Sequence, residues 1–459
     1  MAGMIRERKI SAVELIDAHL RQIAIHNPRI NAFVMLLEEQ ARAAAKRAED
    51  AVMRGDDLGL LHGVPVTVKD SFDMMGLATL CGSKFRVGHR AAADATAVAR
   101  MRGAGAIVIG KTNCPEFLSN YETDNYITGR TNNPWNVEYT PGGSSGGESA
   151  AIAAFCSAGG IGSDGGGSIR IPAHFCGIAG LKPTPGRVSA AGHFPVISHP
   201  GGLLGVAGPM ARTAEDVRRL FTVLAGYDSQ DPFSAPVPIR NAGIAGLRVG
   251  LMEQFCDVPV RPEIRDAVQK AARTLEQIGF KVEPFKPHGL QRAPNLWWFF
   301  FGQLPAPITK QLIEGREQDA HWTGTEFLNA ALGEHTPVIE DLVFNLATRD
   351  RLRSALLREM ESVPVILAPA CGVPAFKHRE RHWPTDTKNI GLFEAMMPVT
   401  PWNLFGLPAV VVPFSVSEQG LPVGVQLIGR PWDEETILDV AVRLEEARGP
   451  FPAPPGLSN

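Results

Sequence analysis

Two serine- and glycine-rich segments lie one helix-length apart: Pro141-Gly-Gly-Ser144-Ser145-Gly-Gly and Ser163-Asp164-Gly165-Gly166-Gly167-Ser168-Ile169-Arg170. Far upstream, Lys69 closes the apolar run Val64-Pro65-Val66-Thr67-Val68. These residue types suit acyl transfer. A serine hydroxyl is a poor nucleophile until a base takes its proton. Lysine can be that base only when neutral, and burial at the end of an apolar strand lowers its pKa from about 10.4 toward the working range. Serine–lysine pairs are a variant of the triad logic. Between Gly142 and Gly208, 18 of 67 residues are glycine. That density costs backbone entropy, and loops that gather main-chain N–H groups around an anion are the usual reason for it.

Other formulas compete for the same residues and are judged by context. Gly105 to Thr112 satisfies G-x4-GK[ST], but a phosphate loop needs a strand before its first glycine and a helix starting at its lysine. Here the four middle residues read as the strand itself, and Asn113-Cys114-Pro115 follows. Gly160-x-Gly162-x-x-Gly165 fits the dinucleotide formula, yet an Ala-rich helical stretch precedes it. Gly142-Gly143-Ser144-Ser145-Gly146 and the window one residue on fit the G-x-S-x-G nucleophile elbow, which needs a strand leading directly into it. The preceding Asn132–Pro141 reads as a turn-rich loop. His378 and His382 stand four apart in HRERH, with the glutamate misplaced for H-E-x-x-H and prolines at 374 and 384, so they read as exposed loop histidines rather than metal ligands. The run Trp297-Trp298-Phe299-Phe300-Phe301 reads as packing under a helix, with an apolar substrate channel as the alternative.

Elements must bring these groups together. Ser11-x-x-Glu14 is a capping box opening a helix that Asn27-Pro28 is expected to stop. A second helix is expected over about Leu36 to Met53, ending at Gly55. After the strand at Val64–Val68 come a helix following Asp94 and a buried strand Ala106–Ile109. Later strands are expected at Val363–Leu367, Ala409–Pro413 and Val423–Ile428, and a last helix at about Glu434–Ala447. Helices alternating with short apolar strands mean an α/β fold on a mostly parallel or mixed sheet. The least patterned stretch is about Pro287 to Asp341.

Composition narrows the function classes. The 459 residues carry 45 basic and 48 acidic side chains, a net charge of −3, so no global field draws the chain to nucleic acid or anionic membrane. The longest uncharged apolar stretch, about Ala150 to Gly162, is too short to span a bilayer. MAGMIRERKISAVELIDAHL has no signal-peptide pattern. The six cysteines lie far apart with no CxxC, as in a reduced protein. A cytoplasmic location and a monomer or homodimer are expected.

The long stretch GGSSGGESAAIAAFCSAGGIGSDGGGSIRIPAHFCGIAGLKPTPGRVS, from Gly142 to Ser189, resembles the signature of the amidase signature family. HGVPVTVKD at 62–70, GAIVIGKTNCPEF at 105–117, GPMARTAEDV at 208–217 and GLPVGVQLIGR at 420–430 are similar to further family segments. Ser144 precedes Ser168 by 24 residues, the family's spacing. The resemblance implies an amidase signature fold, a large mixed twisted sheet covered by helices on both faces. It implies one domain over 1–459, with 142–189 as signature core and about 287–388 as a variable substrate-pocket region. By the same resemblance Ser168 is the nucleophile, Ser144 the bridging serine reached through a cis peptide, and Lys69 the base. The oxyanion hole falls on the backbone N–H groups of Gly165, Gly166, Gly167 and Ser168. Asp164 and Arg170 are expected to fix the loop. Pocket walls are expected at Leu118, Tyr121, Trp402 and Phe405. Many members carry a bulkier residue where Gly165 stands, and glycine there is expected to loosen the loop or widen the acyl pocket. The implied reaction is hydrolysis of an amide, carbamate or ester of a small molecule without a cofactor. The glutaminase subunit of a tRNA-dependent amidotransferase and a non-catalytic binder are the alternatives.

Overall fold

Val66, Val68, Ile109 and Ile161 are fully buried, and the β-branched runs that hold them become the middle of one sheet. The computed structural model describes residues 1–456 except 200, 242, 334 and 335. Among the described residues thirteen strands follow in chain order: β1 (Phe33–Leu36), β2 (Pro65–Lys69), β3 (Ile107–Thr112), β4 (Gly159–Asp164), β5 (Ala179–Lys182), β6 (Val206–Ala211), β7 (Arg248–Leu251), β8 (Lys281–Pro284), β9 (Val365–Pro369), β10 (His382–Pro384), β11 (Asn389–Gly391), β12 (Ala409–Val416) and β13 (Pro422–Gly429). Eleven of them form a mixed sheet in the order β1-β3-β2-β4-β6-β5-β12-β13-β9-β7-β8, and β10 pairs with β11 alone. Helices flank the sheet.

The parallel pairing of β2 with both β3 and β4 positions the site. Val68 stands opposite Ile161, so the C-terminal ends of β2 and β4 open at the same sheet edge. Lys69 ends one strand and Ser163-Asp164 the other. Ligands in α/β sheets gather at the carboxyl ends of strands, and both serine loops lie here. Glycine is required along β4: a Cβ at Gly160 would lie 2.1 Å from Glu148 Oε1 and 2.2 Å from the Thr67 carbonyl oxygen.

Three local expectations need correction. The first long helix runs Ala12–Ile30, through Pro28, before Asn31 ends it in the left-handed region. Pro28 lies within the last turn, where its missing N–H leaves one i−4 carbonyl near the helix end unpaired rather than breaking the helix interior, and Asn27 Oδ1 accepts from Ala32 N at 2.8 Å to close the end. The next helix starts at Glu38 because Phe33–Leu36 pairs antiparallel with β3. The unpatterned stretch is largely helical: Ala293–Trp298, a π-helical turn Phe299–Gln303, Ala306–Ile313, Trp322–Leu332 and Ile339–Glu359. Its first helices are apolar on several sides because they touch both the core and a cavity, which erases the one-sided period.

Candidate active site

Lys69 lies fully buried at the end of β2. Its Nζ donates to Ser144 Oγ at 2.7 Å, Ser145 Oγ at 2.9 Å and Ser163 Oγ at 3.1 Å. Burial pushes its pKa down to about 8, against the opposing pull of the Cys114 and Cys81 thiols and of Asp164 and Glu148. Three neutral hydroxyls solvate an ammonium less well than water does, so desolvation prevails. Glu148 stands nearby, held by the Thr67 and Thr112 hydroxyls and pushed up to about 7 by burial.

The two serine loops are locked together. The peptide bond Gly143–Ser144 is cis, and Ser145 N donates to the Ser168 carbonyl at 3.0 Å. Asp164 is the centre of the second loop. Its Oδ1 accepts from Gly167 N at 2.6 Å and its Oδ2 from Ile169 N at 3.1 Å. Arg170 Nε reaches Oδ2 at 3.0 Å, with both side chains sealed from solvent, and Asn403 Nδ2 reaches Oδ1 at 2.9 Å. The Arg170 charge and these donors hold the Asp164 carboxyl well below its usual range despite burial. Sequence reasoning foresaw Asp164 and Arg170 but missed Asn403, Ser145 and Ser163. Asn403 is 239 residues from Asp164, and no local spacing signals it.

Ser144 and Ser168 open into a cavity of about 660 Å³. Ser168 is 8% exposed and Ser144 only 1%. The walls include Phe117, Leu118, Phe194, Leu204, Phe300 and Phe301, with Ile308 and Leu312 nearer the outside. Among the described residues that line it there is no lysine, arginine or glutamate; Asp164 is the one acidic side chain, and it is engaged by Arg170. His193 also lines the cavity; burial pushes its pKa down to about 3, so it is neutral.

The expected wall residues divide. Leu118 lines the cavity. Trp402 and Phe405 do not: both are buried in the apolar cluster that backs the cavity wall at Leu204 and Phe300, and Trp402 Nε1 donates to the Pro398 carbonyl at 2.7 Å. Tyr121 is buried behind the glycine loop, its hydroxyl donating to the Gly166 carbonyl at 2.7 Å. The aromatic run serves both of its readings, since Trp297 packs in the core while Phe300 and Phe301 face the cavity. Gly165 lines the cavity, and a Cβ there would lie 3.2 Å from the Phe301 ring, so a side chain at this position would press on that wall. Of the four expected oxyanion donors, Gly167 N is engaged by Asp164. The N–H groups of Gly165, Gly166 and Ser168 form no hydrogen bond among the described residues.

The competing formulas meet their structural tests. The phosphate-loop formula falls on β3, with Lys111 sealed against Asp70 at 2.8 Å. The dinucleotide formula falls on β4. His382 is exposed on the β10–β11 hairpin, but the His378 side chain is mostly buried, 3.6 Å from Glu122, unlike the exposed pair expected. Among the described residues, no helix is long and apolar enough to cross a membrane.

A buried lysine, a serine pair and a glycine loop at the carboxyl edge of a mixed sheet define the architecture of an amidase. The chain belongs to the amidase signature family, hydrolases that act on carbon–nitrogen bonds: the family model described as Amidase matches residues 14–438. The chain is 36% identical to a glutamyl-tRNA(Gln) amidotransferase subunit of Roseiflexus castenholzii, over 95% of this chain and 92% of that protein. It is 34% identical to the indoleacetamide hydrolase of Bradyrhizobium diazoefficiens, over 98% and 86% respectively. The solved structure of a bacterial aryl acylamidase of the family superposes with a TM-score of 0.86 at 26% identity, covering 97% of this chain and 94% of that one.

Proposed function

We propose that this protein hydrolyses uncharged, apolar carboxamides through an acyl-enzyme on Ser168. The observation that carries the reading is the cavity itself, with Ser144 and Ser168 at its base, apolar walls and no unpaired charged side chain among its described lining residues. Neutral Lys69 takes the Ser144 proton across their 2.7 Å contact as Ser144 takes the proton of Ser168. Ser168 Oγ attacks the carbonyl carbon. The oxyanion is met by the N–H groups of Gly165, Gly166 and Ser168, where one such donor is worth about 2.7–4 kcal/mol. Ser144 returns a proton to the departing amine, and water releases the acyl group by the same relay. Carbamates and esters present the same carbonyl to the same groups and are secondary substrates.

The amidotransferase relatives raise the alternative of a glutaminase. Free glutamine carries an ammonium and a carboxylate, and burying either without a partner costs several kcal/mol. The described cavity lining offers neither a cation nor a free anion, which supports the apolar reading. The test compares kcat/KM for phenylacetamide and for glutamine. Turnover of phenylacetamide at least 100-fold more efficient is expected; a preference for glutamine would overturn the proposal.

A further inference from the structure

Three successive peptide planes of the glycine loop are each held by a donor from a distant part of the chain. Asn403 Nδ2 donates to the Asp164 carbonyl at 3.1 Å, Trp297 Nε1 to the Gly165 carbonyl at 2.9 Å, and Tyr121 Oη to the Gly166 carbonyl at 2.7 Å. None of these three peptides is cis. In a trans peptide the N–H points opposite to the C=O of the same plane. The Asn403 bond therefore turns the Gly165 N–H away from Asn403, and the Trp297 bond turns the Gly166 N–H away from the indole. The third plane shows the rule at work: with its carbonyl held by Tyr121, its Gly167 N–H lands on Asp164 Oδ1 at 2.6 Å.

The indole is pressed against this backbone. A Cβ at Gly166 would lie 2.3 Å from Trp297 Cζ2. The indole also stacks on Phe301, centroids 4.6 Å apart and planes 16° from parallel. Trp297 thus packs against both the loop and a cavity wall, and Tyr121 is buried.

We infer that Trp297 and Tyr121 are positioning residues of the oxyanion hole: Trp297, by holding the Gly165 carbonyl, aims the free Gly166 N–H at the carbonyl oxygen of the bound substrate, and Tyr121, by holding the Gly166 carbonyl with the Gly167 N–H on Asp164, fixes the plane that lies between the free Gly166 and Ser168 N–H groups. The inference rests on the Ser168 reading above. Asn403 does the same for the first plane, but it also bonds Arg170 and the Leu204 carbonyl, so its substitution would not be specific. Neither aromatic residue is among those that line the cavity, so both act through the loop.

Trp297→Phe keeps the ring that stacks on Phe301 and deletes the donor; Tyr121→Phe deletes only a hydroxyl. The probe for the hole is benzylboronic acid, whose tetrahedral, negatively charged boronate adduct on a serine places a B–OH oxygen where the oxyanion forms. Each variant is expected to lose about tenfold in kcat, less than the roughly 100–1,000-fold of deleting a donor outright. Benzylboronic acid should weaken by the same factor while KM for phenylacetamide changes less than twofold. A role confined to packing would raise KM and leave both kcat and boronate affinity at their wild-type values, and that result overturns the inference. So does wild-type kcat in both variants. Should Trp297→Phe not fold, Tyr121→Phe decides alone by the same split. Ser168→Ala separates the two claims: activity retained there sinks the Ser168 reading itself, whereas an inactive Ser168→Ala beside fully active phenylalanine variants sinks only the positioning role.

Discussion

Lys69 hydrogen-bonds three hydroxyls and forms no ion pair among the described residues, so its protonation is set chiefly by desolvation. A base must be neutral, and the Lys69 pKa near 8 places that change within reach of ordinary assays. Below about 8 the ammonium form dominates, and kcat/KM should fall about tenfold per pH unit; above it the profile should flatten. Ser163 accepts a hydrogen bond that favours the ammonium. Removing it in Ser163→Ala should lower the Lys69 pKa further and move the rising limb to lower pH, which a kcat/KM profile reads directly. Lys69 was legible in the sequence because an apolar run ends on it. Ser163 and Ser145 as its partners were not, since that contact exists only once β4 lies beside β2 in the observed register.

At the scale of elements, the loop between β4 and the helix Arg170–Cys176 is held by one buried ion pair. Asp164 and Arg170 are both sealed from solvent, and removing one partner of such a pair typically costs about 3–5 kcal/mol because the other charge is left uncompensated. Asp164→Ala should lower the urea midpoint accordingly and also release the Gly167 amide. Gly167 has φ +112°, and a Cβ there would lie 2.6 Å from Val399 Cγ2. Gly167→Ala should therefore destabilise by about 1–3 kcal/mol, read in the same denaturation experiment. The glycine density announced such a loop, and its spacing from Ser144 fitted the family. The helices of residues 290–332 were not legible: Trp297, Phe300 and Phe301 face core, loop and cavity in turn, so no single face carries their pattern.

On the scale of the whole molecule, alternation of helices and short apolar strands gave the fold class, while the antiparallel additions at β6, β5 and β12 lay beyond it. Strand order depends on pairings between residues hundreds of positions apart, such as Ala409 with Lys182. The sheet supports an apolar cavity of about 660 Å³, enough for a substantial acyl group. Burying one methylene is worth about 0.8 kcal/mol, close to a fourfold change. Across acetamide, butyramide and hexanamide, kcat/KM should rise about fourfold per added methylene, and a flat series would place the acyl group outside the cavity.

The central claim joins Ser168, as nucleophile, to Lys69, as base. The most direct test is peptide mass spectrometry after reaction with a fluorophosphonate, on the wild type and on Lys69→Ala. A single adduct on Ser168 that is largely lost in Lys69→Ala is the result the account predicts. An adduct on Ser145, or labelling of equal extent without Lys69, would contradict it.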